Sequence, residues 1–192
     1  MNNNGKVKPD SSRLPVKIAL TALFAALTAA GTFIAVPVGP VPIVLQNLFA
    51  LLSGLILGPH LGTAAVGLFL LAGILNFPVF AGAQGGIARF AGPTGGFLVG
   101  YLLAALTAGV LLGKPKPNET TPLPRLIPAV FLGLLVVYIP GLCWLKISGS
   151  LSWARALMAG FVPFIPGDTL KGIIAVLISR RLRRVAADLL HG

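Results

Sequence analysis

The sequence predicts an all-α integral membrane protein, a single bundle of six transmembrane helices with both termini in the cytoplasm. Its 192 residues are 56% hydrophobic and only 10% charged, with a mean hydropathy of +0.92, whereas soluble domains carry roughly 25% charged residues. The formal charge of +11 does not indicate nucleic-acid binding, because the basic residues flank the apolar segments. We expect one membrane domain over 13–192, preceded by a disordered cytoplasmic segment over 1–12.

Six apolar segments approach the roughly 20 residues that cross a bilayer as a helix. Proline and glycine mark nearly every junction between them. The predicted spans are 15–36, 43–58, 61–77, 94–113, 125–145 and 157–179. The second and third are short, and a Gly-Pro-His turn at 58–60 separates them. The first segment is long and several others follow it, so we interpret it as a span and not as a signal peptide.

The unequal distribution of basic residues predicts the orientation. One side carries most of them, namely Lys6, Lys8, Arg13, Lys17, Lys114, Lys116, Arg125, Arg180, Arg181, Arg183 and Arg184. The other side carries Arg89, Lys146 and Arg155. By the positive-inside rule both termini face the cytoplasm, which places the loops 37–42, 78–93 and 146–156 outside. We expect the arginine cluster just past the last span to be an orientation anchor, with binding of anionic lipid or a partner protein as the alternative.

Asp168 is the one acidic residue inside a hydrophobic stretch, at the opening of the last span. A carboxylate there costs roughly 2.5–3.5 kcal/mol to insert. Lys171 follows at i+3, which puts both side chains on one helix face. Because Pro166 and Gly167 directly before the pair indicate an irregular, cavity-lining backbone, we favour a functional site. The alternative is a structural ion pair that ties this helix to a neighbour.

A loop rich in glycine and aromatic residues, 77–97, joins the third and fourth spans. Such a composition suits a lid that folds over an apolar ligand. Gln84 offers hydrogen-bond donors and an acceptor, and Arg89 offers a planar fork that matches a carboxylate. The alternative is a flexible external loop with a solvated arginine.

The fourth span opens on a Gly-Pro-Thr-Gly-Gly sequence. Its residues are Gly92, Pro93, Thr94, Gly95 and Gly96. Proline is common in the first turn of a helix, and the free N–H groups of that turn form a weak anion site. The last span opens similarly, so two helix N-termini are predicted to point at one outward-facing cavity and to favour an ionised Asp168. Plain helix initiation without a ligand is the alternative.

The first span contains two small-xxx-small pairs, Ala22 with Ala26 and Ala25 with Ala29. Such pairs allow two helices to approach closely. The residues alone leave open whether the helix docks another membrane subunit or makes an internal contact.

Weaker candidates lie in the second and fifth spans. Gln46 and Asn47 are polar residues within a span, expected to face the bundle interior and to bind ligand or bridge helices. Tyr138 and Trp144, near the outer end of the fifth span, are expected to be interfacial anchors, with ligand stacking as the second reading. The lone Cys143 is expected to be a buried structural thiol.

Several motifs are missing from the sequence. It has no P-loop, no HExxH and no intramembrane nucleophile with a base. Its histidines and its cysteine have no metal-ligand spacing. We therefore expect neither an enzyme nor a cofactor or metal. A single intramembrane acid argues against a proton relay, and the lack of an inverted repeat argues against a self-contained transporter.

Five segments in order give the chain a family resemblance. They are Pro40–Leu48, Gly54–Pro59, Pro78–Gly82, Gly92–Phe97 and Pro163–Lys171. With these segments the chain resembles the BioY family, the biotin-binding S components of energy-coupling factor (ECF) transporters. The resemblance extends from Arg13 to Leu190, and its GPTGG and PGDxxK segments are the most specific.

The resemblance implies a six-helix capture subunit in the plasma membrane of a prokaryote, which binds biotin from outside. Its implied partners are a transmembrane coupling (T) component and two cytoplasmic ATPases that hydrolyse ATP, and the S component is thought to topple in the membrane to release the vitamin. The small-residue face of the first helix, with Ala22, Ala25, Ala26 and Ala29, would meet the T component.

The resemblance also assigns site residues. Asp168 and Lys171 carry over as the acid and base of the last helix, and the glycine-rich loop as the lid, with Gln84 and Arg89 its polar contacts. Asp168 suits the ureido N–H groups of biotin and Gln84 the ureido carbonyl, while Arg89 or Lys171 suits the carboxylate. Gln46 is a further candidate contact.

Asn47, Tyr138 and Trp144 rank below these site residues. Phe97 and Val44 depart from the family, whose members often have Tyr and Thr there, so they are not offered as polar contacts. Two other functions stay open. One is an S component for another vitamin, such as riboflavin or thiamine, and the other is a membrane scaffold whose Asp168–Lys171 pair is purely structural.

Overall fold

The computed structural model describes residues 13–36, 41–117 and 120–191, so the predicted disordered segment 1–12 lies outside the described residues. Those residues form eight helices and one short antiparallel pair of strands. The helices are α1 (Leu14–Ala30), α2 (Gln46–Leu57), α3 (Pro59–Ile74), α4 (Ile87–Phe90), α5 (Gly95–Leu112), α6 (Leu123–Ser148), α7 (Trp153–Gly160) and α8 (Ile165–His191). The strands are β1 (Ala35–Val36) and β2 (Ile43–Val44), paired Ala35 with Val44 and Val36 with Ile43.

The protein is mostly helical, and each of the six predicted spans overlaps a helix. Among the described residues, α5, α6 and the α7–α8 stretch are long and apolar enough to cross a membrane. Helices α1, α2 and α3 are apolar but shorter. The largely apolar surface of the bundle, including Phe131 and Leu177, suits contact with lipid.

Two predicted boundaries were wrong. Helix α1 ends at Ala30, and the chain then turns into β1 instead of continuing to residue 36. The last predicted span, 157–179, begins inside α7, which ends at Gly160. A 3-10 turn over Val162–Phe164 follows, because Pro163 has no N–H to continue the α-helical hydrogen bonding.

Helix α2 is the centre of the bundle. All of its residues except Phe49 are buried, and it packs against α1, α3, α5, α6 and α8. With 12 residues it is about 18 Å long, which is too short for a hydrocarbon core of about 30 Å. Gly58, with a φ of +82°, makes the predicted turn into α3. Among the described residues, no helix continues the line of α2 beyond its N-terminus. Other segments of the chain line a cavity there.

Close packing around α2 depends on glycine. A Cβ atom on Gly54 would lie 2.1 Å from the carbonyl oxygen of Ala105 in α5. A Cβ atom on Gly96 of α5 would lie 2.3 Å from the carbonyl oxygen of Pro140 in α6. Without a water-driven hydrophobic force between helices in lipid, such close approach is a main source of association.

The two alanine pairs of α1 face different surroundings. Ala25 and Ala29 are partly buried against the core, so they make the internal contact that the sequence left open. Ala22 and Ala26 are exposed. Of the four alanines predicted to dock a partner, only these two present a free surface.

Arg183 corrects the prediction for the arginine cluster. Helix α8 continues to His191 without a break, so the cluster lies within the helix, and the Arg183 side chain is buried at 6% exposure. It donates hydrogen bonds to the carbonyl groups of Leu55 in α2 and of Leu112 (3.3 Å) and Gly113 (3.2 Å) at the end of α5. Carbonyl groups in the last turn of a helix lack an intrahelical donor. A cation there also interacts favourably with the negative end of the helix dipole. Arg183 thus joins three helices.

Replacing Arg183 by Ala is expected to lower the free energy of unfolding by roughly 2–4 kcal/mol, because the buried carbonyl groups lose their donor. The unfolding temperature in detergent should fall by about 5–10 °C, while the exposed neighbour variant Arg184→Ala stays within about 2 °C of wild type. Equal shifts for the two variants would show that the Arg183 contacts do not stabilise the bundle.

Candidate ligand-binding site

The predicted acid–base pair lies at the start of α8, inside the bundle. Asp168 is in the first turn of the helix at 9% exposure, and Lys171 follows at 4%. The Lys171 Nζ atom is 3.1 Å from Asp168 Oδ1. The prediction that the two side chains share one helix face is confirmed.

Two further side chains complete this cluster. Asn47, near the start of α2, donates from Nδ2 to Asp168 Oδ1 at 3.0 Å, and its Oδ1 atom accepts from Lys171 Nζ at 2.9 Å. Tyr138, in α6, donates its hydroxyl to Asp168 Oδ2. The sequence ranked both residues low because each is only a polar residue within a span. Their proximity to Asp168 depends on how α2, α6 and α8 pack.

The cluster explains how a charged pair is tolerated in an apolar bundle. A buried ion pair is stable only when hydrogen bonds satisfy its remaining polar atoms. Asp168 accepts from an ammonium, an amide and a hydroxyl group, and the first turn of a helix also favours a negative charge. A carboxylate has about four lone-pair positions, so one acceptor position is left for a donor on a ligand.

Two adjoining pockets, called the first and the second lobe, lie beside this cluster and share part of their wall. The first lobe is lined by the four polar residues and by an apolar wall. The second lobe is lined in part by Arg89 and Thr94. The lobes share the wall residues Val41, Pro42, Val44, Phe97 and Tyr101. Asp168 therefore lines one lobe and Arg89 the other, and the wall that the lobes share is largely apolar.

Arg89 is positioned by the short helix α4 and faces the second lobe. Its Nε atom is buried and has no hydrogen-bond partner among the residues that the structure describes. A buried donor without a partner costs about 1–3 kcal/mol. This end of the cavity is therefore suited to an anionic group.

Gln46 lines the second lobe, but its amide nitrogen is already engaged. It donates to the hydroxyl of Thr32 and to the carbonyl of Val79 at 3.0 Å. Thr32, a buried residue that the sequence did not single out, also donates to Val79. Gln46 thus connects the segment after α1 to the start of the loop 77–97. Its predicted contact with a ligand would use the side-chain carbonyl oxygen.

Two predicted contacts lie outside both lobes. Gln84 is exposed, in a turn whose backbone pairs with Phe80. Trp144 donates its indole N–H to the carbonyl of Gly92 at 3.0 Å and is 40% exposed. The structure gives no support to direct ligand contacts from these side chains. Trp144 instead holds the loop 77–97 against α6.

The GPTGG segment differs in detail from its prediction. Helix α5 begins at Gly95 with Thr94 as its N-cap, so Pro93 precedes the helix and is not in its first turn. A Cβ atom on Gly95 would lie 1.8 Å from the carbonyl oxygen of Phe90, so this glycine is needed for α4 and α5 to meet. The starts of α5 and α8 both line the cavity, as predicted, and the start of α2 is a third.

Metal binding has no support in the described part of the chain, where no three His, Cys, Asp or Glu residues are grouped to hold an ion. The lone Cys143 is exposed, which overturns the expectation that its thiol is buried.

Known proteins resemble this chain over nearly its whole length. The model of the BioY family matches residues 4–188. A relative from Pyrococcus horikoshii, described as a probable biotin transporter, is 41% identical over 167 residues, which are 87% of this chain and 96% of the relative. A biotin transporter from Lactococcus lactis subsp. cremoris is 36% identical over 187 residues, 96% of this chain and 95% of the relative.

Solved structures agree with the sequence matches. The crystal structure of the S-component for biotin from an ECF-type ABC transporter superimposes with a TM-score of 0.81 and 33% identity, over 93% of this chain and 95% of that chain. The crystal structure of FolT bound with folic acid has a TM-score of 0.61 at 20% identity, over 88% of this chain and 92% of that chain, and shows the shared fold alone.

The family match over most of the chain and relatives above 30% identity over nearly their full lengths lead to one conclusion: this protein belongs to the BioY family.

Proposed function

We propose that this protein captures biotin from outside the cell, as the membrane-embedded S component of an ECF-type transporter in a prokaryotic plasma membrane. The observation that carries the proposal is the pair of adjoining lobes, one with a hydrogen-bonded acid and the other with an arginine whose buried Nε–H has no partner among the described residues. The protein is not an enzyme, and partner ATPases supply the energy for translocation.

The chemistry of biotin fits the two ends. Its ureido ring offers N–H donors, which suit the open acceptor position of Asp168. Its carboxylate suits an arginine fork, and Arg89 has the unpartnered Nε atom. Lys171 is already shared between Asp168 and Asn47. We therefore assign the carboxylate to Arg89, a choice that the sequence left open.

The cavity also argues against two other readings. A cationic vitamin would meet the positive charges of Arg89 and Lys171, so thiamine is disfavoured. A scaffold protein has no need of a cavity beside its ion pair, whereas here Asp168 and Lys171 line one. The similarity to the folate-bound protein, at 20% identity, shows a shared fold and says nothing about the ligand of this chain.

The same proposal covers topology and partners. The six spans are α1, α3, α5, α6, α8 and the predicted segment 43–58, which consists of β2 and the short α2. Both termini are cytoplasmic, and the partners are a T component and two ATPase subunits. The small exposed side chains of Ala22 and Ala26 support docking of the T component on α1.

Replacing Asp168 by Asn is expected to weaken biotin binding by about 10- to 100-fold, because hydrogen bonds to a charged acceptor contribute about 1.5–3 kcal/mol. The measurement is calorimetric titration of the purified protein in nanodiscs. Asp188→Asn is the matched control, since it removes the same charge from an exposed position of the same helix.

Unchanged binding by Asp168→Asn would place the site elsewhere and leave the function standing. A folded wild type that binds no biotin would remove the proposed function itself.

Replacing Arg89 by Gln tests the assignment of the carboxylate. Biotin should bind about 10- to 100-fold more weakly, because the charge-assisted hydrogen bonds are lost. Biotinamide, which has no carboxylate, should bind wild type and variant equally. Arg155→Gln, which neutralises an exposed arginine in α7, serves as the control. Equal losses for the two ligands would show that Arg89 shapes the lid without binding the carboxylate.

Replacing Ala26 by Leu is expected to abolish co-purification of the T component with the tagged protein, because the larger side chain prevents close approach of helices. Biotin binding by the isolated variant should stay at the wild-type level. The matched control is Ala64→Leu on the exposed side of α3. A complex that forms normally with Ala26→Leu would move the docking surface away from this face of α1.

A further inference from the structure

A second cavity lies at the other end of the bundle. It combines basic side chains with an aliphatic wall. Its lining residues are Lys17, His60, Lys114, Leu57, Leu61, Pro115 and Leu190.

The position of this cavity relative to the membrane follows from α8. That helix runs unbroken from Asp168, at the candidate biotin site, to Leu190, at the second cavity. At a rise of 1.5 Å per residue, about 33 Å separates the two along the helix axis. A hydrocarbon core is about 30 Å thick. The two cavities therefore lie near opposite surfaces of the bilayer.

The basic side chains of the cavity come from three separate elements. Lys17 lies in the first turn of α1, His60 in the first turn of α3, and Lys114 just after α5. Among the described residues, no carboxylate lines the cavity, and neither lysine has an ion-pair partner. Among the described residues, the two lysine charges from different elements are gathered here without a compensating carboxylate.

The start of α3 adds to this positive field. The α3 helix has 16 residues and begins at Pro59, and the N–H groups of a first helical turn form an anion site. The positive end of the helix dipole points the same way. His60 and Leu61, which carry N–H groups of this turn, are both in the cavity wall.

We propose that this cavity binds an anionic phospholipid of the adjacent leaflet. The phosphate group lies between Lys17, Lys114 and the start of α3, and the first part of an acyl chain lies along Leu61 and Leu190. The aliphatic wall and the position at a membrane surface favour a lipid over a soluble phosphate, which gains nothing from apolar contacts. Basic pockets between helices at a cytoplasmic surface are known to hold anionic headgroups. This inference does not depend on the biotin proposal.

The test compares binding of phosphatidylglycerol and phosphatidylcholine to the detergent-purified protein by native mass spectrometry. Wild type should prefer phosphatidylglycerol, and the double variant Lys17→Gln/Lys114→Gln should bind it about 10-fold or more weakly. The matched control is Arg180→Gln/Arg184→Gln, which removes two charges from exposed positions near the same end of the bundle. It should change binding less than about 2-fold.

Three results would overturn the proposal. The first is a wild type without preference for phosphatidylglycerol. The second is an equal loss in both double variants, which would indicate a general attraction to a basic surface. The third is full displacement of the lipid by glycerol phosphate at a similar concentration, which would indicate a site for a soluble phosphate. Should the lysine pair fail to fold, the single variant Lys114→Gln, at an exposed position outside the helices, makes the same comparison.

Discussion

The structure depends on the polar contacts that α8 makes at the two ends of α2. At the start of α2, Asn47 bonds both Asp168 and Lys171. Near its end, the carbonyl of Leu55 accepts from Arg183. The two helices therefore run in the same general direction. A carboxylate near a helix N-terminus and a guanidinium near a helix C-terminus both interact favourably with the helix dipole. The short, fully surrounded α2 is held in this way without lipid contact along most of its length.

This arrangement also explains why the ligand cavity lies where it does. Since α2 fills only about two thirds of the hydrocarbon thickness, residues just before α2 and residues of the loop 77–97 line the cavity at its start. Gln46 and Trp144 fix that loop at Val79 and Gly92, on either side of α4. Arg89 is thus carried on a segment that is tied at both ends, and it faces the cavity from a defined position.

The sequence predicted the features that depend on local spacing and on the cost of charge in lipid. The Asp168–Lys171 pair could be predicted because an acid in an apolar stretch is stable only with a partner, and a lysine at i+3 lies on the same helix face. The recruitment of Asn47 and Tyr138 could not be predicted, because it depends on the packing of three helices distant in the chain. Arg183 was misjudged for a related reason. Within a run of arginines it is indistinguishable from its exposed neighbours, and only the ends of α2 and α5 give it partners.

In the proposed function, ligand selection comes from the ends of the cavity, where the polar groups lie. The waist between the ends is largely apolar, with Val44 and Phe97 among its residues. An apolar wall contributes binding energy through buried area and discriminates poorly between ligands of similar shape. A site that leaves a buried donor or acceptor unpaired rejects a ligand far more strongly. In the proposed function, Asp168 and Arg89 present such groups to biotin, so together they select the end-group chemistry of the ligand.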